Sequence, residues 1–272
     1  MSRVVLTPAA QHCRDLIRNA DPDRLLLAEL APAEKRPALW ALAAFNWEVA
    51  RIPERVSEPM LGAIRRQWWR DAWQEIAAGQ PRHHPVVEAL AEAHAATPFD
   101  LALIETLMDA REAEQDGPPA DLPTLIDRAQ QTGGMLARLE ATAIGMDASA
   151  AAERVGTAWA LVGTLRALPL HLRHGRHQLP EALLAAHGVR LDHLDAAAPP
   201  DGFAALIEAV AAAAGPHLAS NERLPPLFRG YHRLTLLYRN RLRRAGWNPF
   251  DAAVNAPTAG RAFSVLKVRL GL

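Results

Sequence analysis

The 272-residue chain has a single cysteine, Cys13. That excludes an intramolecular disulfide and a cysteine-rich metal site, and it fits a reducing compartment. Net charge is absent as well: thirty basic residues cancel thirty acidic ones, which excludes the strongly basic surface of a general nucleic-acid binder. No apolar run reaches the roughly 18 residues that cross a bilayer. Met1 to Ala20 has no apolar signal-peptide core and carries Asp15, so neither a membrane span nor a secretory leader is expected. Runs of β-branched residues and alternating apolar and polar stretches are missing, which excludes much β-sheet. The most pointed absence is local. Between Glu153 and Glu181 there is no Asp or Glu at all, so this segment offers positive charge and hydrogen-bond donors to an anion and no hard ligand to a cation.

What is present is mostly Ala and Leu, both strong helix formers. Capping residues and breakers divide the chain into helices. Thr7-Pro8 and Asp21-Pro22 open two short ones, a longer one runs from about 33 to 51, and Ser57 caps the next, which stops at Gly79. Further helices are expected at about 85–96, 100–115, 122–145, 149–172, 180–187, 202–219, 226–244 and 259–270. Short Pro- and Gly-containing turns between them imply antiparallel neighbours in a bundle that encloses a cavity. With no linker or long charge run, residues 1–272 read as one all-α domain.

Two blocks carry a resemblance. The first is the stretch from Lys35 to Ala72, with Ala44-Phe45 and the Arg-x-x-Trp-Trp-Arg of Arg65 to Arg70. The second holds Gly156, Ala158, Leu165-Arg166, Arg173, Gly175-Arg176 and Leu179-Pro180. Together they resemble the squalene/phytoene synthase family. The resemblance implies an all-α isoprenoid-synthase bundle with a central cavity, in which two facing Asp-rich motifs hold Mg²⁺ on prenyl diphosphates that are joined head to head. Mg²⁺ on carboxylates neutralises the departing diphosphate in such a reaction. At the positions where the family has those aspartates, this chain has Ala50, Arg51 and Glu54 in the first motif and Ala167 and His171 in the second. Only Glu54 among them could ligate Mg²⁺.

The departures have a pattern of their own: Phe45-Asn46, Val56-Ser57-Glu58, Leu165 to Pro169, Leu179-Pro180 and His187-Gly188. These look like the non-catalytic branch of the family known as a respiratory complex I assembly factor. That likeness implies a pseudoenzyme without metal or other cofactor. Its partner would be a complex I subunit or assembly intermediate, its ligand an anionic lipid or isoprenoid, and its place the cytoplasm, peripheral on the inner membrane. The competing readings are a head-to-head prenyltransferase with rearranged Mg²⁺ ligands such as Glu48 and Glu54, and an isoprenoid or lipid carrier.

Arg51, Glu54, Arg166, His171, Arg173 and Arg176 are the candidate ligand-binding residues of the former diphosphate pocket. Guanidinium groups in place of metal-binding carboxylates convert a cation site into an anion site. The alternative is a solvated face with helix-end pairs. Protonation of His171 and His174 would add charge as pH falls through about 6.5. His171, His174 and His177 do not read as a metal site, because their spacing spreads them around the helix, Gly175 interrupts it and no acid joins them. Trp68, Trp69 and Trp73 read as core rather than a ligand platform. Gly133-Gly134 reads as a close helix approach, and His83-His84 as a polar loop. The last segment, Gly260 to Leu270, interleaves apolar and basic residues: it either lies on an anionic membrane surface or docks on the bundle as a final helix.

Overall fold

The computed structural model describes residues 5–56, 58–147, 150–219 and 224–271. Among them the regular structure is all helical. Helices α1 (Pro8–Ala20) and α2 (Pro22–Ala28) meet at Asp21, which ends the first and caps the second by accepting from the Arg24 amide. A 3₁₀ turn, Ala33–Lys35, leads into α3 (Arg36–Ala50), and after Arg51 a single turn, α4 (Ile52–Arg55), follows. Then come α5 (Pro59–Ala77), α6 (Pro85–Ala96), α7 (Leu101–Ala113), α8 (Leu122–Ala129), α9 (Met135–Ala143) and the long α10 (Ala150–Arg173). The chain closes with α11 (Glu181–Ala186), α12 (Phe203–Ala213), α13 (Gly215–Leu218), α14 (Pro226–Arg244), α15 (Ala252–Asn255) and α16 (Ala259–Arg269). Proline at the first turn of many of these helices costs nothing, because the first amides have no intrahelical partner.

The boundaries expected from capping signals agree with these within a few residues, with two informative differences. The expected 33–51 helix breaks at Arg51 (φ −94°, ψ 1°) and restarts at Ile52. The expected 122–145 helix is interrupted by a π-helical turn, Gln130–Gly134. Its cause is contact. A Cβ on Gly133 would lie 2.6 Å from the Gly156 carbonyl oxygen and 2.6 Å from the Ala160 Cβ, and a Cβ on Gly156 would overlap the Gly133 carbonyl. Two glycines facing each other let the turn lie directly on α10, as the Gly133-Gly134 pair suggested. Ser57, the expected cap of α5, lies outside the described residues.

Buried side chains from Ala9 to Val265 form one contiguous core. Its aromatic centre joins the two halves of the first sequence block. Phe45 of α3 meets Trp69 and Trp73 of α5 edge-on, at centroid distances of 5.2 and 5.4 Å, and Trp73 meets Phe99. Trp69 is 5% exposed and Trp73 1%, so both are core; Trp68 is half-buried, with Arg82 over its face and His84 at its edge. His84 is thus packed aromatic surface rather than polar loop. The arginines of the same segment clamp α5 to α7, Arg70 to Glu105, Asp109 and Glu112 and Arg66 to Glu112.

Trp69→Ala is expected to cost about 3–5 kcal/mol, the usual range for deleting a buried aromatic, and Gly156→Ala about 1–3 kcal/mol through overpacking. Urea unfolding with a Trp69→Ala midpoint equal to wild type would show the segment to be exposed surface, and an unchanged midpoint in Gly156→Ala would show the helix contact to be loose.

Candidate functional site

The break after α3, the π turn and the end of α10 converge on a cavity of about 310 Å³. Asn46, Ala50 and Arg51 enter it from the end of α3, Glu54 from α4, Arg111 and Glu114 from the end of α7 and just beyond, Arg128 from α8, and Thr132 and Gly133 from the π turn. Trp159, Gly163, Ala167 and His171, on one face of α10, form another wall, with the buried Arg24 and its neighbour Asp21 at one side. Gly175 adopts a left-handed conformation (φ 67°) that reverses the chain after α10 and brings Arg176, His177 and Gln178 back to the rim.

Charge pairing within the cavity is specific. Arg51 Nε donates to Glu54 Oε2 at 2.7 Å, and an Arg176 guanidinium nitrogen faces the other oxygen, Oε1, at 3.9 Å. The Glu54 side chain is only 8% exposed. Arg51 also lies over the Trp47 ring, 4.6 Å from its centroid, which fixes the guanidinium plane. Arg111 donates to both Glu114 oxygens at 2.9 Å and to Asn46 Oδ1 at 3.0 Å. Arg128 donates to the Gly117 carbonyl and to Gln178 Oε1. Arg24 reaches Glu140 Oε1 at 2.7 Å and the Tyr231 hydroxyl at 2.5 Å, while that hydroxyl donates to Glu140. Burial pushes the Glu140 carboxyl up against the pull of Arg24, and the pair keeps Arg24 charged.

Of the six residues singled out in the sequence, four line this cavity: Arg51, Glu54, His171 and Arg176. The degenerate positions Ala50 and Ala167 line it as well. Arg166 does not converge with them. One helical step from Ala167, it points about 100° away around α10, lies over the Tyr238 ring at 3.3 Å, pairs with Asp23 at 3.2 Å and bonds Asn255. Arg173 is exposed beyond the rim. The three histidines divide likewise, His171 and His177 in the cavity and His174 exposed. Glu48, considered as a metal ligand, bonds Arg55 instead, and among the described residues no group of three or more His, Cys, Asp or Glu is placed to hold a metal ion. Arg24, Arg111, Arg128 and Glu114 went unnoticed in the sequence. They lie outside both blocks, and nothing in their local pattern separates them from surface charges.

The family follows from this architecture together with the sequence. Residues 17–262 match the squalene/phytoene synthase family model, and the chain belongs to that family. Among its relatives, the Bos taurus and Homo sapiens proteins named NADH dehydrogenase (ubiquinone) complex I, assembly factor 6 are 32% and 31% identical, over 66% and 65% of this chain. The chain spans about half the length of these relatives, 55% of each. A Drosophila melanogaster homolog of the same factor is 28% identical over 88% of this chain and 76% of its own length. Solved structures give the fold. A dehydrosqualene synthase superposes with a TM-score of 0.81 at 15% identity, covering 97% of this chain and 96% of that one. The squalene synthase HpnC from Alicyclobacillus acidocaldarius superposes with a TM-score of 0.74 at 20% identity, covering 89% and 95%. The isoprenoid-synthase bundle implied by the sequence motifs is the fold found.

His84, His171, His177 and His217 are all held below the ordinary histidine range, in each case first by burial, and for His171 next by the Arg176 charge. Folding therefore favours their neutral forms. The stability this contributes is complete above the unfolded value of about 6.5 and is lost as pH falls through it. The melting temperature is expected to hold between pH 8 and 7 and to drop steadily below about 6.5, less steeply in His84→Gln with His171→Gln. A flat profile down to pH 5 would contradict the assignment. Charge on His171 in the folded protein likewise appears only below the ordinary histidine range, lower than the sequence suggested.

Proposed function

We propose that the chain is a non-catalytic member of the squalene/phytoene synthase family that assists assembly of respiratory complex I. Its cavity holds a phosphate-bearing lipid or isoprenoid headgroup without a divalent cation. The partner is a complex I subunit or assembly intermediate, and the place of action is the cytoplasm, peripheral on the inner membrane. The named relatives support the assembly role.

One observation carries the cavity's part. Glu54, the single carboxylate at the family's aspartate positions, has a guanidinium against each oxygen, Arg51 and Arg176. The other positions hold Ala50, Arg51, Ala167 and His171, where the family's pattern has Mg²⁺-binding aspartates. Hard oxygen ligands in number are what Mg²⁺ requires, so this donor set does not fit it. The lining suits an anion: Arg24, Arg51, Arg111, Arg128 and Arg176 against Asp21, Glu54 and Glu114. Fixed guanidinium groups supply the neutralising charge that metal supplies in a synthase.

Glu54 is then an internal counter-anion that a ligand must displace. Calorimetry with inorganic pyrophosphate in EDTA is expected to show binding by wild type, roughly tenfold tighter binding by Glu54→Gln and loss in Arg51→Ala with Arg176→Ala. Equal affinity in all three, or binding that appears only with Mg²⁺, would sink the anion cavity. Mg²⁺-dependent diphosphate release from farnesyl diphosphate would restore the prenyltransferase reading. Removal of the protein from its host is expected to lower NADH:quinone oxidoreductase activity in isolated membranes; unchanged activity and complex I content would remove the assembly role.

A further inference from the structure

The C-terminal helix α16 has two apolar stripes. Val265 and Val268, 5% and 2% exposed, face inward, and Arg261 on the same side bonds the buried Asp23 at 3.0 Å. That stripe is consumed by packing against α14 and α2. The second stripe, Phe263, Leu266 and Leu270, follows an i, i+3, i+7 spacing on the opposite side of the helix. These three residues are 57%, 47% and 63% exposed. An inward-docked helix has no folding reason to carry such a stripe.

Charge defines what would cover it. From Pro226 to Gly271 there are nine Arg and Lys residues and one acid, Asp251, in a chain whose total charge is zero. The charged residues of α16 itself are all cations. The Lys267 ammonium sits 4.8 Å from the Phe263 ring centroid, and Arg269 is exposed. Arg243 and Arg244, at the end of the adjoining α14, are exposed too. An apolar line a few residues long, flanked by long cationic side chains and belonging to a strongly cationic segment, matches the interfacial zone of an anionic bilayer. There the apolar groups enter the acyl boundary and the cations meet phosphates.

We propose that the outer face of α16 is a docking surface for an anionic lipid bilayer, Phe263, Leu266 and Leu270 inserting and Lys267 and Arg269 contacting headgroups. This deepens the peripheral location proposed above by naming the surface that produces it. It does not use the cavity, which no residue of α16 lines.

The test is co-sedimentation of the full chain with vesicles of phosphatidylcholine alone or mixed with phosphatidylglycerol. Wild type is compared with Phe263→Ser/Leu266→Ser, Lys267→Glu/Arg269→Glu and the cavity variant Arg51→Ala/Arg176→Ala, all checked for unchanged melting. Wild type and the cavity variant are expected to sediment with the anionic vesicles. Either α16 variant should lose about tenfold in affinity, and binding should fall as salt rises. Wild type remaining in solution at low salt, or Phe263→Ser/Leu266→Ser sedimenting like wild type, would overturn the proposal. Loss of binding in the cavity variant alone would also overturn it, while supporting the cavity reading. Absence of vesicle binding by wild type, with complex I intermediates co-purifying with wild type and not with the α16 variants, would make the stripe a protein interface and the lipid assignment wrong.

Discussion

Two adjacent buried charges on a helix of two turns organise this molecule. Asp23 and Arg24 of α2 are 4% and 8% exposed, an arrangement tolerable only because each is fully engaged. Arg24 reaches Glu140 of α9 and Tyr231 of α14. Asp23 accepts from Tyr238 of α14, Arg166 of α10 and Arg261 of α16. Successive residues on a helix point about 100° apart, so one short element ties four others in two directions. Removing Arg24 would leave the buried Glu140 without its cation, the costly way to break such a pair. Burial in this cluster also pushes the Tyr238 hydroxyl up to about 12, so it serves as a donor throughout the physiological range.

That cluster decides what the cavity contains. It draws Arg166 away from the cavity, and it leaves the α10 face that carries Gly163, Ala167 and His171 toward the opening. Two of the remaining cations reach the cavity through irregularities, Arg51 at the break after α3 and Arg176 after the reversal at Gly175, while the π turn brings Thr132 and Gly133 to the wall and Arg111 and Arg128 come from regular helix. Each irregularity departs from a continuous helix at the cavity wall. The same cluster anchors α16 through Arg261, and so sets which stripe of that helix is left outward.

The helices were legible in the sequence because their signals are local. Thr7, Asp21, Asp100 and Asp121 cap the helices that follow them through their own side chains, and Pro and Gly mark most of the other ends. The aromatic core was legible as well, since Trp69 and Trp73 recur at the spacing of one helical turn and both are buried. Family membership could be read from two blocks of motif, which depend on order and identity and not on geometry.

What the amino-acid sequence determined by itself is therefore the all-α character, the helix ends and the kinship with squalene/phytoene synthases, because these rest on propensity, capping and pattern within a few neighbouring residues. Tertiary structure alone decided which arginines share a space. Arg166 and Ala167 are neighbours in sequence yet face different partners around one helix, and Arg24, Arg111 and Arg128, absent from both motifs, line the same cavity as Arg51 and Arg176. The physical reason is that a charged side chain settles where a partner compensates its desolvation. For Arg166 that partner is Asp23, 143 residues away along the chain, a distance over which no local pattern carries information.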